Sequence, residues 1–138
     1  MSNSKIVATI VLILAGLQLT LATAHETDNG VLRQPLLKEV LSGIPDHSLV
    51  AVTVQLDPGN VSPKHLHEAF VFVYVLSGKI RSQIGNETPV DYDVGDSWVE
   101  RPGDVHTLTQ NLSETETAKL LAVFVTKNGA KLRAAVSE

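Results

Sequence analysis

The chain has 138 residues, 43% of them hydrophobic, and a formal net charge of −4 at pH 7. This length suits one compact domain of ordinary size. The acidic balance, and the lack of a basic patch interleaved with aromatic residues, argue against a nucleic-acid partner. Cysteine is absent, so no disulfide framework contributes to the fold.

The first 24 residues have the layout of a secretory signal peptide. Lys5 precedes an apolar run over residues 6–21, and Ala22-Thr23-Ala24 supplies the small residues of a cleavage site. The run is a little short for a membrane span of about 20 residues. We therefore expect cleavage after Ala24 and a periplasmic or secreted protein. An uncleaved segment, the alternative, would anchor the protein in a membrane.

Residues 25–47 form a mixed segment that we interpret as an N-terminal arm. Residues 25–30 are solvated, and the partly apolar stretch over residues 31–41 is interrupted by Pro35. Because proline disfavours a helix interior, we expect an edge strand or an arm that packs on a neighbour. Cleavage would leave His25 first in the mature chain, where it could chelate Cu(II). The flexible composition predicts instead that His25 is disordered.

Residues 48–126 alternate between short β-rich runs and turn residues. The predicted strands cover residues 49–56, 70–76, 79–84, 90–92, 97–100, 105–110 and 119–126. This spacing predicts an all-β sandwich or barrel. The last run is apolar on both faces, which is typical of a central strand or of one face buried in a dimer. The tail over residues 127–138 has no strand pattern, and we expect it on the surface.

The most informative stretch is residues 59–78, in which His65 and His67 precede an apolar run. Residues i and i+2 of a strand point to the same face. Both imidazoles should therefore project to one side, close enough to chelate one ion. Such a pair alone is more often a chance surface pair than a metal site, so a third ligand elsewhere is needed to support the prediction.

A second turn–strand–turn unit over residues 95–106 ends in a lone histidine, His106. With this unit, residues 48–126 resemble the cupin family, in its small single-domain type 2 or RmlC-like form. The residues that match the two cupin motifs are Gly59, His65, His67 and Gly78 in the first, and Gly95, Gly103 and His106 in the second. The resemblance implies a double-stranded β-helix, or jelly-roll barrel. Three histidines on one face of such a barrel can bind Fe, Mn, Ni, Cu or Zn with open positions for water or substrate.

The sequence departs from the cupin pattern at one expected ligand. Val71 stands four residues after His67, where the family has its motif-1 glutamate. Glu68 and Glu100 are the two carboxylates that could replace it. Glu68 has the wrong strand parity, although it lies near enough to a turn to swing in.

Four residues are candidates for a substrate pocket, namely Val71, Tyr74, Glu100 and Gln110. Gln110 shares strand parity with His106 and stands where cupins often have asparagine. Its amide could bind a ligand or water, or it could simply be a polar residue at a strand end. Glu100 and Tyr74 are the candidates for an acid or base beside the histidines.

Phe70, Phe72 and Tyr74 point to the strand face opposite the histidines. A ligand-filled barrel needs this outer face covered, and a second subunit is the simplest cover. We therefore expect a homodimer. Packing of residues 31–41 on the same face within one chain is the alternative.

Three functions remain open from the sequence. The first is an exported metal-dependent enzyme, an oxygenase or isomerase of a small polar molecule. The second is a non-catalytic module that binds or senses a metal or small ligand. The third is a metal-free cupin in which a histidine acts as a base, as in the sugar epimerases of this superfamily. An enzyme should have a general acid or base within reach of the metal, whereas a binding module need not.

Overall fold

The computed structural model describes residues 26–136, which form strands and no helix. The expected signal peptide, its cleavage site and His25 lie outside the described residues, as do residues 137 and 138. Within residues 26–136, no helix is long and apolar enough to cross a membrane.

The described residues form twelve strands in two antiparallel sheets. The first sheet has the spatial order β1 (Glu26–Asp28), β2 (Val31–Val40), β3 (His47–Leu56), β11 (Ala118–Lys127), β6 (Phe70–Ser77) and β9 (Ser97–Glu100). The second has the order β12 (Ala134–Ala135), β5 (His65–Leu66), β10 (Val105–Asn111), β7 (Ile80–Ile84) and β8 (Val90–Tyr92), with β4 (Val61–Ser62) paired to β10. The all-β prediction is confirmed.

The predicted strands all occur, with bounds that differ by one or two residues at most. Strand β11 lies between β3 and β6, so its two apolar faces do belong to a central strand. Alternate residues of β6 and β11 contribute much of the core: Val71, Val73, Val75, Leu120, Ala122 and Phe124 are all buried. This alternation positions one apolar sheet face against the histidine-bearing strands.

The N-terminal arm is a strand of the first sheet. Strand β2 pairs antiparallel with β3, and β1 folds back on the start of β2. Pro35 lies beyond the three residues of β2 that β1 covers, at an open edge where a residue without an N–H is tolerated. Of the two interpretations, the edge strand is the one observed. Because β2 extends the sheet sideways, it does not cover the sheet's outer face.

The C-terminal tail lies at the surface as expected, with each of its described residues exposed or half-buried, but it contains a strand that its sequence pattern did not predict. Strand β12 pairs antiparallel with β5, the short strand that carries His65. Its two alanines lack the β-branched or aromatic residues that favour strands. The pairing therefore depends on tertiary context, which local sequence does not reveal, and it makes the tail part of the cavity wall described below.

Two turn glycines help bring the motifs together. Gly78 has a φ of 80°, and a Cβ there would lie 2.7 Å from the Cβ of Ala118, so a larger residue would be strained and crowded. Gly103 has a φ of 86°, and its amide donates a 2.9 Å hydrogen bond to the carbonyl of His67. This bond ties the turn of the second motif to the first.

Candidate metal centre

Three buried histidines meet in one cavity. His65 lies on β5, His67 directly follows this strand, and His106 lies on β10 opposite His65 in the antiparallel register. Their ligand nitrogens all lie within 4.8 Å of one another. The His65 ring centroid is 4.9 Å from that of His67 and 5.1 Å from that of His106. The structure therefore brings the predicted residues together.

Backbone carbonyls fix the rings of His65 and His67. The Nδ1 of His65 donates to the carbonyl of Pro63 at 2.8 Å, and the Nδ1 of His67 donates to the carbonyl of Leu132. A carbonyl oxygen can only accept, so the hydrogen of each neutral ring is assigned to Nδ1. The Nε2 lone pair of each ring is then available to a metal, in the arrangement that outer-shell partners usually impose on ligating histidines.

Burial keeps these two imidazoles neutral. Desolvation lowers the pKa of His65 to about 3, against the opposing hydrogen bond to Pro63, and the neighbouring His106 and His67 add to the lowering. Desolvation likewise lowers the pKa of His67, with the hydrogen bond to Leu132 and the charge of Glu100 opposing it. Neutral imidazole is the form that binds a metal ion.

Glu100 supplies a carboxylate beside the histidines. It lies on β9 directly opposite Val71 of β6, and such cross-strand partners share a face of the sheet. Its Oε1 lies 3.0 Å from the Nδ1 of His106 and accepts a 3.0 Å hydrogen bond from the Nε1 of Trp98. Its Oε2 lies 3.5 Å from the Nε2 of His67. The carboxylate beside the histidines therefore comes from β9, the strand that pairs with β6.

Glu68, the other candidate for this role, does not reach the cluster. Its side chain is exposed and borders a second depression that contains none of the three clustered histidines. The alternation of side chains along the segment after His67 keeps it on the outside.

One oxygen of Glu100 marks where a cation would fit. Burial alone raises the pKa of this carboxyl, but the hydrogen bond and charge of His106, with His67 and Trp98, bring the pKa below its ordinary value. The carboxylate is therefore ionised at neutral pH. Its Oε2 is buried without a hydrogen-bond partner among the described residues. Such an oxygen is costly unless a cation or donor satisfies it, and a carboxylate with neutral imidazoles suits a divalent transition metal.

His106 is engaged at both ring nitrogens. Because the ionised Glu100 can only accept, the hydrogen lies on Nδ1, and Nε2 accepts from the hydroxyls of Ser82 at 2.8 Å and Thr109 at 2.9 Å. Because the unprotonated Nε2 has a single lone pair, ligation of a metal through this nitrogen requires both hydroxyl hydrogen bonds to be given up. No sequence motif indicated a role for Ser82, Thr109 or Trp98. Each acts through a hydrogen bond to a residue of the site, namely His106 for the two hydroxyls and Glu100 for Trp98.

The cluster lines a cavity of about 540 Å³, within the range of small-molecule sites. Most of its wall is apolar, contributed by Val52, Val54, Leu56, Val71, Val73, Leu120, Ala122 and Phe124. Three basic residues also line it, namely Arg33, Lys131 and Arg133. Two of these come from the C-terminal tail, whose role in the wall the sequence did not indicate.

Two of the predicted pocket residues lie elsewhere. Tyr74 is 36% exposed on the outer face of β6, because alternate residues of that strand point to opposite sides. Gln110 also lies outside the cavity lining. A register shift between His106 and Leu108 adds one residue to β10, so Thr109 contacts His106 and Gln110 turns away. Val71 and Glu100, the other two candidates, do line the cavity.

A two-sheet β structure with a buried cluster of three histidines defines a small barrel with a candidate metal site. A family profile for the cupin domain matches residues 52–124, more than half of the chain. The chain therefore belongs to the cupin domain family, as its two motifs predicted.

Solved structures show the same fold. An RmlC-like cupin from Shewanella frigidimarina has a TM-score of 0.58 and 21% identity, over 75% of this chain and 83% of that chain. An uncharacterized conserved protein with a double-stranded β-helix domain from Klebsiella pneumoniae has a TM-score of 0.62 and 22% identity, over 84% of this chain and 92% of that chain. The jelly-roll prediction is thus confirmed.

Oxalate decarboxylase from Bacillus subtilis is similar in fold, with a TM-score of 0.65 and 23% identity over 83% of this chain. The match covers only 30% of the decarboxylase chain. A search of curated proteins gave no match.

Proposed function

We propose that this protein is an exported, metal-dependent cupin enzyme, an oxygenase or isomerase of a small polar molecule. One divalent transition metal (Fe, Mn, Ni, Cu or Zn) would be held by His65, His67 and His106. The observation that carries the proposal is Glu100, a buried, ionised carboxylate against two of the three imidazoles. It meets the requirement that separates an enzyme from a binding module, namely a candidate base within reach of the site.

The residues of the site have distinct roles in this proposal. A bound metal would act as a Lewis acid towards an oxygen of the substrate. Trp98 and His106 hold one oxygen of Glu100 in place. Where the three histidines alone hold the metal, the other oxygen of Glu100, which has no donor among the described residues, can accept a proton from the substrate. The apolar walls exclude water, which strengthens the electrostatic interactions inside the cavity.

A non-catalytic module that holds a metal or small ligand is the second candidate. It is favoured by the two hydrogen-bonding contacts that already hold Glu100, because a metal ligand or structural anchor would be fixed in the same way. The metal-free cupin with a histidine base is the third candidate. Metal content separates this third candidate from the other two.

The test is elemental analysis of the mature protein purified from its native compartment. We expect about one divalent transition metal per chain. Protein that is fully active on a small molecule but free of metal would contradict the proposal and favour the histidine-base alternative. Amino-terminal sequencing of the same sample tests export, and we expect it to start at His25.

We also propose that the protein is a homodimer through the outer face of the first sheet. On β6, Phe70 is 46% exposed, Phe72 40% and Leu76 41%. Val99 of β9 and Val123 of β11 are the register partners of Phe72 and extend the apolar surface on both sides. Because β2 pairs edgewise with β3, it leaves this face uncovered. A second copy would cover the same patch on both subunits.

Light scattering coupled to size-exclusion chromatography tests the dimer. We expect Phe72→Glu to shift the protein from dimer to monomer with an unchanged circular-dichroism spectrum. The matched control is Val61→Glu, at a residue of β4 in the second sheet that is similarly exposed, at 48%. A wild-type monomer at micromolar concentration would contradict the proposal.

A further inference from the structure

We infer that the cavity binds a small organic carboxylate, whose charged group is recognised by Arg33 and Arg133. The inference deepens the proposed function, on which it rests, by naming the substrate class of the same cavity. It depends on the charges of the wall, on the position of Arg133 beside the histidines, and on the apolar character of the remaining surface.

The cavity wall is cationic in a protein that is acidic as a whole. The chain has a net charge of −4, yet Arg33, Lys131 and Arg133 all line the cavity. Glu100 is the one acidic residue among the described lining residues, and it is held by Trp98 and His106. Composition alone would predict the opposite sign, so the concentration of basic residues here indicates a ligand of negative charge.

Arg133 lies next to the histidine cluster. Its Nη2 donates a 3.0 Å hydrogen bond to the carbonyl of Pro63, which also accepts the 2.8 Å hydrogen bond of His65. One carbonyl oxygen thus orients both the guanidinium and the imidazole. A guanidinium presents its donors in a planar fork that matches the two oxygens of a carboxylate. An anion at Arg133 would consequently lie close to His65.

The basic residues come from separate parts of the fold. Arg33 belongs to β2 at one side of the first sheet, whereas Lys131 and Arg133 precede β12 at the edge of the second. Between them the wall is formed by valine, leucine, alanine and phenylalanine side chains. A small inorganic anion would leave this apolar surface in contact with water. An organic acid can place its carboxylate at the arginines and pack its carbon skeleton on the apolar wall.

Calorimetric titration of the Zn²⁺-loaded mature protein tests the inference. The probes are acetate, hexanoate and benzoate, each compared with its primary amide, and inorganic sulfate. We expect at least one acid to bind about tenfold or more tightly than its amide. Arg33→Gln and Arg133→Gln should each lower the affinity for that acid by about tenfold to a hundredfold, which is the usual effect of losing a charged hydrogen bond. The control is Arg81→Gln, at a half-exposed residue of β7 paired with Asp91 outside the cavity.

Three outcomes would overturn the inference: no acid binds at millimolar concentration, acids and amides bind equally, or sulfate binds as tightly as the best acid. Unchanged binding in both cavity arginine variants would also overturn it.

Zinc content, measured on the same samples, should stay at one ion per chain in the arginine variants. If the wild type takes up no zinc, the proposed metal centre fails. Arginine-dependent binding of an acid to the zinc-free protein would then still support the carboxylate site.

Discussion

At the level of single residues, Glu100 is the group on which the chemistry of the cavity depends. It stands on β9 opposite Val71 of β6, so its carboxylate reaches the histidine cluster from the neighbouring strand. The side chain is 2% exposed and contacts both His67 and His106. A change at this position should therefore alter metal binding and proton transfer together.

Glu100→Gln is expected to lower metal affinity by about tenfold to a hundredfold, the usual effect of losing a group that orients or supplements metal ligands. At saturating metal, the variant should lose any turnover, because an amide cannot act as a base. Competition titration against a chelator measures the affinity. Glu68→Gln, on the exposed side of the segment, should behave like the wild type. Equal metal affinities of the Glu100→Gln and Glu68→Gln variants would show that Glu100 does not contribute to metal binding.

Val71→Glu introduces the glutamate that the resemblance to cupins predicts at this position, and it places a second carboxylate opposite Glu100. We expect tighter metal binding, because a fourth ligand becomes available. We also expect the metal-free variant to be less stable than the wild type, because two buried like charges repel. Thermal unfolding with and without metal measures both effects. Unchanged metal affinity would mean that residue 71 cannot reach the ion.

The histidines could be predicted from the sequence because the period of a strand and two spaced motifs specify them. Glu100 could be proposed but not chosen over Glu68, since the choice depends on the pairing of β9 with β6. Gln110 was misplaced for a physical reason. The prediction that Gln110 shares a strand face with His106 assumes a regular strand. Strand β10 contains a one-residue register shift, which cannot be predicted from the sequence.

At the level of elements, the C-terminal tail completes the cavity. Leu132 offers its carbonyl to His67, Arg133 hydrogen-bonds Pro63, and β12 pairs with the strand that carries His65. The long strands were predictable from their β-branched runs, whereas β12 has only two residues and follows from the barrel around it. The segment is therefore part of the site, although its sequence has no strand pattern.

A chain that ends at Ala130 tests this role. It lacks the carbonyl that fixes the His67 ring, so we expect metal affinity to fall by about tenfold. The matched control ends at Val136 and keeps β12. Competition titration compares the two proteins, and circular dichroism checks that both are folded. Identical affinities would show that the tail only covers the cavity.

At the level of the whole molecule, the buried histidines couple stability to pH. The pKa of His65 falls from 6.5 to about 3 on folding, so below pH 6.5 the unfolded chain takes up a proton that the folded chain does not. The free energy of unfolding of the metal-free protein should therefore fall as the pH falls through this window, by up to about 1.4 kcal/mol per pH unit for His65. His67, whose pKa is also lowered, acts in the same direction. Urea unfolding between pH 7 and pH 4 measures the slope, and His65→Asn should reduce it. An equal slope in the variant would contradict this assignment.

The central claim is that His65, His67 and His106 form one metal site within a barrel whose stability comes from its apolar strands. The most direct test is the number of divalent ions bound per chain after reconstitution and desalting, in the wild type and in three alanine variants. We expect one ion in the wild type and none in His65→Ala, His67→Ala or His106→Ala, with all four proteins folded. His47→Ala, which changes a histidine outside the cavity, should retain one. Full metal content in any of the three variants would contradict the claim.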